Sequence, residues 1–231
     1  MATVGIVGGL GPEATVDYYR RILAAWERED PSSAPSIVID SLDPQRALKL
    51  VAADRQAFAD YLFGSLQRLA GAGVDFAVLS ANTAHLVFDD LSARSRVPLL
   101  SIVETCAADA GRRGLKRLAL LGTRFTMEAT FYPDVCARFG VEIVTPSAEG
   151  RHWVHERYVG ELLKGDFRED TRKQFISLVD RLRRDERIDG AILGGTELPL
   201  LLRDEEIAGV PVLDTTGLHV AAIVQRLRSD V

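Results

Sequence analysis

"VGIVGGLGPEAT", Val4 to Thr15, returns as "LALLGTRFTMEAT", Leu118 to Thr130. Each copy is an apolar run that ends on glycine and leads into Glu-Ala-Thr at the start of a helical pattern. "VDFAVLSANTAH", Val74 to His85, returns as "IDGAILGGTELP", Ile188 to Pro199, and the "VPLLSIVE" that follows the first matches the "VPVLDTTG" that follows the second. Two matches at one offset of about 114 residues identify a duplicated lobe.

Working outward, short runs rich in branched residues alternate with longer amphipathic stretches along the whole chain. Strands are expected at "TVGIVGG", "PSIVIDS", "VDFAVLS", "VPLLSI", "RLALLG", "VEIVTP", "DGAILGG" and "VPVLD". Most are apolar on both faces, the signature of parallel strands covered by helices. Helices are expected at Pro12 to about Glu29, about Gln45 to Ala72, Val103 to Gly114, Thr126 to Phe139, His152 to Lys164, Thr171 to Asp185 and Thr216 to Arg228. The fold class is α/β: two similar lobes, each a parallel sheet flanked by helices, related by internal duplication. The first lobe is expected at residues 1–98, completed by about 212–231, and the second at 99–211. Ligands of open parallel sheets sit beyond the carboxyl ends of the strands. Lobes facing each other by pseudo-twofold symmetry would place the site in the cleft between them, with position 81 opposite position 195.

Composition excludes several classes of partner. A chain of 231 residues, 47% hydrophobic and 26% charged, buries a full core rather than remaining disordered. Its net charge of -5, with basic residues scattered among acids, offers no footprint for nucleic acid. No apolar stretch approaches the roughly 18 residues a membrane helix requires. "MATVGIVGG" enters a strand with no basic start or cleavage site, so a cytoplasmic location is expected. Cys106 and Cys136 lie in helical patterns and read as small buried side chains.

"GGLGPEA" satisfies a dinucleotide-binding pattern through Gly9, Gly11 and Ala14, with Asp40 as a ribose acid. Pro12 removes an N–H that a pyrophosphate would use, and Glu13 sets a negative charge where the phosphate would lie. "SANTAH" and "GGTELP" are better placed. Asn82, Thr83 and Thr196 put hydroxyl and amide groups just past buried strands, where they can hold a small carboxylate, or else Asn82 and Thr83 cap the next helix. His85, His152, His155 and His219 show no ligand spacing beyond one H-x-x-H, so no metal is expected. There is no G-x-S-x-G elbow of a serine hydrolase.

Taken together, "GIVGGLGPEAT", "NTAH", "LLGTRFTME", "GELLKGDFREDTR", "TELPLLL" and "VPVLDTTGLH" resemble the aspartate/glutamate racemase family over nearly the whole chain. The resemblance implies two α/β lobes with the site between them, an isomerase independent of pyridoxal phosphate and of any other cofactor, and a homodimer. It implies one proton-transferring cysteine just before Asn82 and another just before Thr196, where this chain has Ala81 and Gly195. Neither can carry a proton, so the two-thiol mechanism does not transfer. The resemblance further implies that Asn82, Thr83 and Thr196 bind an α-carboxylate and that Arg46 and Lys164 clamp a distal one. His219 matches a histidine common in the family, and His85 and Glu197 are ionisable groups flanking the substituted positions. These three are the candidates for proton transfer. The expected function is an enzyme acting on a small amino dicarboxylate or related acid, by racemisation or by one-sided proton transfer. The alternatives are an inactive dicarboxylate-binding protein with a regulatory role and a nucleotide-dependent enzyme.

Overall fold

The two copies of the repeated segment become the central strands of two separate sheets. The computed structural model describes residues 2–229. In the first sheet β1 (Thr3–Gly8) lies between β2 (Ser36–Ser41) and β3 (Phe76–Leu79), with β4 (Leu99–Leu100) beyond β3, all parallel. In the second, β5 (Arg117–Gly122) lies between β6 (Glu142–Val144) and β7 (Gly190–Gly194). A short β8 (Glu206–Ile207) then pairs antiparallel with β9 (Val210–Asp214), which is parallel to β7. The order β2-β1-β3-β4 thus recurs as β6-β5-β7-β9, with β8 added at the edge. Val4, Ile6 and Val7 of β1 and Leu118 to Leu121 of β5 are fully buried, as strands covered on both faces must be.

The chain divides into two compact units, residues 2–102 with 219–229, and residues 103–218. β9 hydrogen-bonds to β7, which keeps Val212–Asp214 in the second sheet.

Helices fill the connections: α1 (Pro12–Glu29), α2 (Pro44–Ala53), α3 (Arg55–Gly71), α4 (Phe88–Arg94), α5 (Ile102–Arg112), α6 (Arg124–Glu128) and α7 (Phe131–Ala137) come first. They are followed by α8 (Ala148–Gly160), α9 (Glu169–Glu186), α10 (Leu198–Leu201) and α11 (Thr215–Ser229). Three of the expected helices are altered for local reasons. The helix expected from Gln45 to Ala72 is interrupted at Asp54, whose backbone is extended (φ -152°) and whose carboxylate accepts from Ala57 N–H, ending α2 and capping α3. The one expected from Thr126 to Phe139 breaks at extended Ala129, after Thr123 has capped α6. α8 starts four residues before His152 because Ser147 caps it through Gly150 N–H. No described helix is long and apolar enough to cross a membrane.

Each unit has its own core. In the first, α3 presents Phe58, Leu62, Leu66 and Leu69 along one face to Val7, Ala77 and Leu79 of the sheet. In the second, Phe175, Leu178, Val179 and Leu182 of α9 meet Ala119, Leu121, Ala191 and Leu193.

The β8–β9 hairpin turns through Ala208 and Gly209, both left-handed, with φ of 51° and 77°. Such two-residue turns favour Asn-Gly, and alanine in this region costs about 1–2 kcal/mol. Ala208→Asn is therefore expected to raise the unfolding free energy by about 0.5–1 kcal/mol. A urea midpoint that does not rise would mean the turn is not left-handed in solution.

Candidate active site

At the carboxyl end of β3 the chain stays tied to β1 for one more residue. The Ser80 N–H and Oγ both donate to Val7 O, at 3.1 and 3.0 Å. Ala81 is half-buried, Asn82 is buried, and a 3₁₀ turn follows at Thr83–Val87. Asn82 is helical in backbone and its side chain makes no capping bond to that turn, so capping does not account for it.

His85 belongs to the same turn. Its Nδ1 lies 3.2 Å from Ala81 O and its ring stacks on Phe88 with centroids 4.8 Å apart. Because a carbonyl only accepts, Nδ1 carries the proton. Burial lowers the pKa to about 4, so His85 is neutral at physiological pH.

His219, at the point where α11 enters the first unit, is fully buried. Its Nε2 donates to Leu100 O at 3.1 Å and its Nδ1 receives the Tyr18 hydroxyl at 2.9 Å. Burial first, and His85 second, lower its pKa to about 3. With both ring nitrogens engaged, it fastens α11 to β4 and α1.

The glycine-rich turn serves packing. Gly9 is left-handed (φ +77°), and a Cβ there would lie 2.2 Å from Leu42 O and 2.4 Å from Leu42 N. Its N–H donates to Thr15 Oγ1 at 2.8 Å, while Asp40 pairs with Arg68 at 2.7 Å. The N–H and the acid that a dinucleotide would use are thus committed within the unit. Arg46, in the first turn of α2 beyond the end of β2, is exposed, and its guanidinium lies 4.6 Å over the Tyr61 ring.

At the carboxyl end of β7, Gly195, Thr196 and Glu197 are all buried. The Glu197 carboxylate accepts from the Tyr158 hydroxyl and from Thr196 Oγ1, the latter at 3.2 Å. Burial, reinforced by the Glu197 charge, pushes the Tyr158 phenol well above its ordinary range. A Cβ on Gly195 would collide with the phenol end of Tyr158, 2.6 Å from its oxygen. Cys106 in α5 and Cys136 in α7 are buried, which raises the first thiol well above its usual range and the second to about 12. Neither is a ready thiolate.

The sequence pattern of the Asp/Glu/Hydantoin racemase family matches residues 7–223. The chain belongs to this family. It is 24% identical over 224 residues to the broad specificity amino-acid racemase RacX of Bacillus subtilis (strain 168), covering 93% of each chain. An aspartate racemase homologue from Pyrococcus horikoshii OT3 is 30% identical with a TM-score of 0.82, covering 99% of this chain and 100% of the other. A Yersinia pestis structure described as that of an Asp/Glu racemase candidate is 32% identical with a TM-score of 0.87, at the same coverage.

Within this racemase-family chain the expected site residues fall into groups. Asn82, Thr83 and His85 share one turn after β3, and Thr196 and Glu197 share one hydrogen-bond cluster after β7. Lys164 is exposed in the 3₁₀ turn Leu162–Lys164, closed by left-handed Gly165. That turn depends on Glu161, which sequence reasoning did not single out. Although burial pushes its pKa up, bonds from Thr171 and Arg157 at 2.6 Å each hold the carboxylate below its usual range. Its backbone carbonyl accepts from the N–H groups of Lys164 and Asp166. The available signal was the i,i+4 spacing of Arg157 and Glu161. Tyr158 was missed altogether, being the product of a contact 39 residues long.

Proposed function

We propose that the chain binds a small amino dicarboxylate or related acid and moves a proton at that ligand's Cα without pyridoxal phosphate or a pair of thiols. The observation that carries this reading is the buried Glu197 carboxylate, held by Thr196 and Tyr158 at the end of β7, where the duplicated sheet has Asn82 and Thr83 at the end of β3. A carboxylate so placed is a general base of the kind that proton abstraction at a Cα needs. Asn82, Thr83 and Thr196 offer donors to an α-carboxylate, and Arg46 and Lys164 are exposed cations suited to a distal one. His85 and His219 are held neutral by burial, and His219 has both nitrogens bonded, so the proton-transfer role falls more naturally to Glu197.

Incubation in D₂O with the L and D forms of aspartate and glutamate, followed by proton NMR, tests the reading. Loss of the Cα–H signal from at least one amino acid is the expected result, and an unchanged signal from all of them rejects it. A second reading, an inactive binder, is favoured by the Tyr158 ring standing beside Gly195. It requires a thermal shift with one of the same amino acids and no exchange, since a ligand selective for the folded state raises stability without chemistry.

A further inference from the structure

The space beside the Gly195 Cα is occupied by a neighbouring ring. A Cβ built there would lie 2.3 Å from Tyr158 Cε2, 2.6 Å from its hydroxyl oxygen and 2.7 Å from Cζ, all closer than the 3.0 Å below which real contacts of this kind essentially do not occur. The hydroxyl end of the ring therefore stands where a side chain at position 195 would project. Tyr158 reaches this point from the last turns of α8 and is only 3% exposed. Packing alone would be satisfied by phenylalanine, because a buried hydroxyl must find a partner. The partner is Glu197, 1% exposed, which accepts from the phenol while its own backbone N–H points back at the phenol oxygen at 3.5 Å. A buried carboxylate is costly unless donors hold it, so this pair is an expensive way to fill a core.

From this arrangement we propose that the Tyr158 hydroxyl and the Glu197 carboxylate form a proton relay that replaces the thiol absent at position 195. The inference rests on the proton-transfer reading above and names the groups that move the proton. The phenol oxygen takes the substrate Cα proton as its own proton passes to Glu197. The Cα–H bond and the original phenol O–H bond break, and a new phenol O–H and a carboxyl O–H form. The electron pair of the C–H bond stays on the substrate as a carbanion conjugated with its carboxylate. The negative charge thus moves from Glu197 to the substrate, and proton return reverses the same bonds. No phenolate is formed, in keeping with a phenol whose ionisation burial and the adjacent carboxylate oppose. One relay serves one face of the carbon, so exchange of the Cα proton with solvent is its signature.

The test compares the wild type with Tyr158→Phe and Glu197→Gln. The probes are L- and D-aspartate and L- and D-glutamate in D₂O, and both exchange rate and thermal shift are recorded. The wild type is expected to exchange at least one of them. Both variants are expected to slow that exchange at least ~100-fold, as removal of a general acid–base group does, while keeping the thermal shift. A folded Tyr158→Phe that exchanges at the wild-type rate overturns the relay and leaves the proton-transfer reading intact. A wild type that exchanges none of the four overturns both. If Tyr158→Phe does not fold, Glu197→Gln decides, and retained exchange there overturns the relay equally.

Discussion

Gly195→Ala is expected to lower the unfolding free energy by about 3 kcal/mol, the upper end of what overpacking costs. The added methyl would have to share space with Tyr158 Cε2, Cζ and the hydroxyl, which approach to 2.3–2.7 Å. The ring has little room to yield, because it is packed in the second core and bonded to Glu197. Tyr158→Ala carries its own large penalty, yet in that background Gly195→Ala should cost almost nothing. A double-mutant cycle by urea denaturation should therefore give an interaction energy of about 2–3 kcal/mol. Additive effects would show that the phenol does not occupy the position. The same contact governs the introduction of two thiols. Ala81→Cys with Gly195→Cys should yield a destabilised protein without racemase activity. Adding Tyr158→Ala should relieve the clash and allow racemisation of aspartate or glutamate, followed by chiral chromatography. A stable and active double-cysteine variant would refute the clash.

Stability is expected to fall by roughly 4 kcal/mol between pH 7 and pH 5 through His85 and His219 alone. Their ordinary pKa is 6.5, and burial in the folded chain lowers it to about 4 and about 3. Between these values the unfolded chain binds protons that the folded chain refuses, at about 1.4 kcal/mol per pH unit for each histidine. The stabilisation is complete above pH 6.5 and is lost as the pH drops toward 4 and 3. Against a total of about 5–15 kcal/mol for a typical domain, this is a large share. Urea midpoints at pH 7, 6 and 5 measure it. His219→Gln, which can still bond Tyr18 and Leu100, should remove about half of the slope. A wild type equally stable at pH 7 and pH 5 would contradict burial of both rings in neutral form.

The architecture was legible because duplication writes the same signal twice. Val4 to Gly8 and Leu118 to Gly122 could each be doubted alone, but at a common offset they define two central strands, and the recurring strand order follows. The interruptions at Asp54 and Ala129 were not legible, since an aspartate on a polar helix face and an aspartate that ends one helix and caps the next look the same in one dimension. Asn82, Thr83, Thr196 and Glu197 could be located because strand ends are readable from apolar runs. Tyr158 could not, because nothing near "WVHERYVG" announces a partner at Glu197. The one clue was the glycine at 195, and its meaning required the ring beside it. His219 was readable as ionisable, but its bond to Tyr18 spans 201 residues and leaves no trace in the local sequence.

The two halves of this duplicated chain differ in how readily each would accept a thiol. At position 81 a half-buried methyl group stands where one amino-acid replacement would introduce sulfur. At position 195 the backbone is bare and an aromatic ring from α8 lies against it, so sulfur could enter only once Tyr158 had been replaced. An engineer would need a single change on the first side and two, made in a fixed order, on the second.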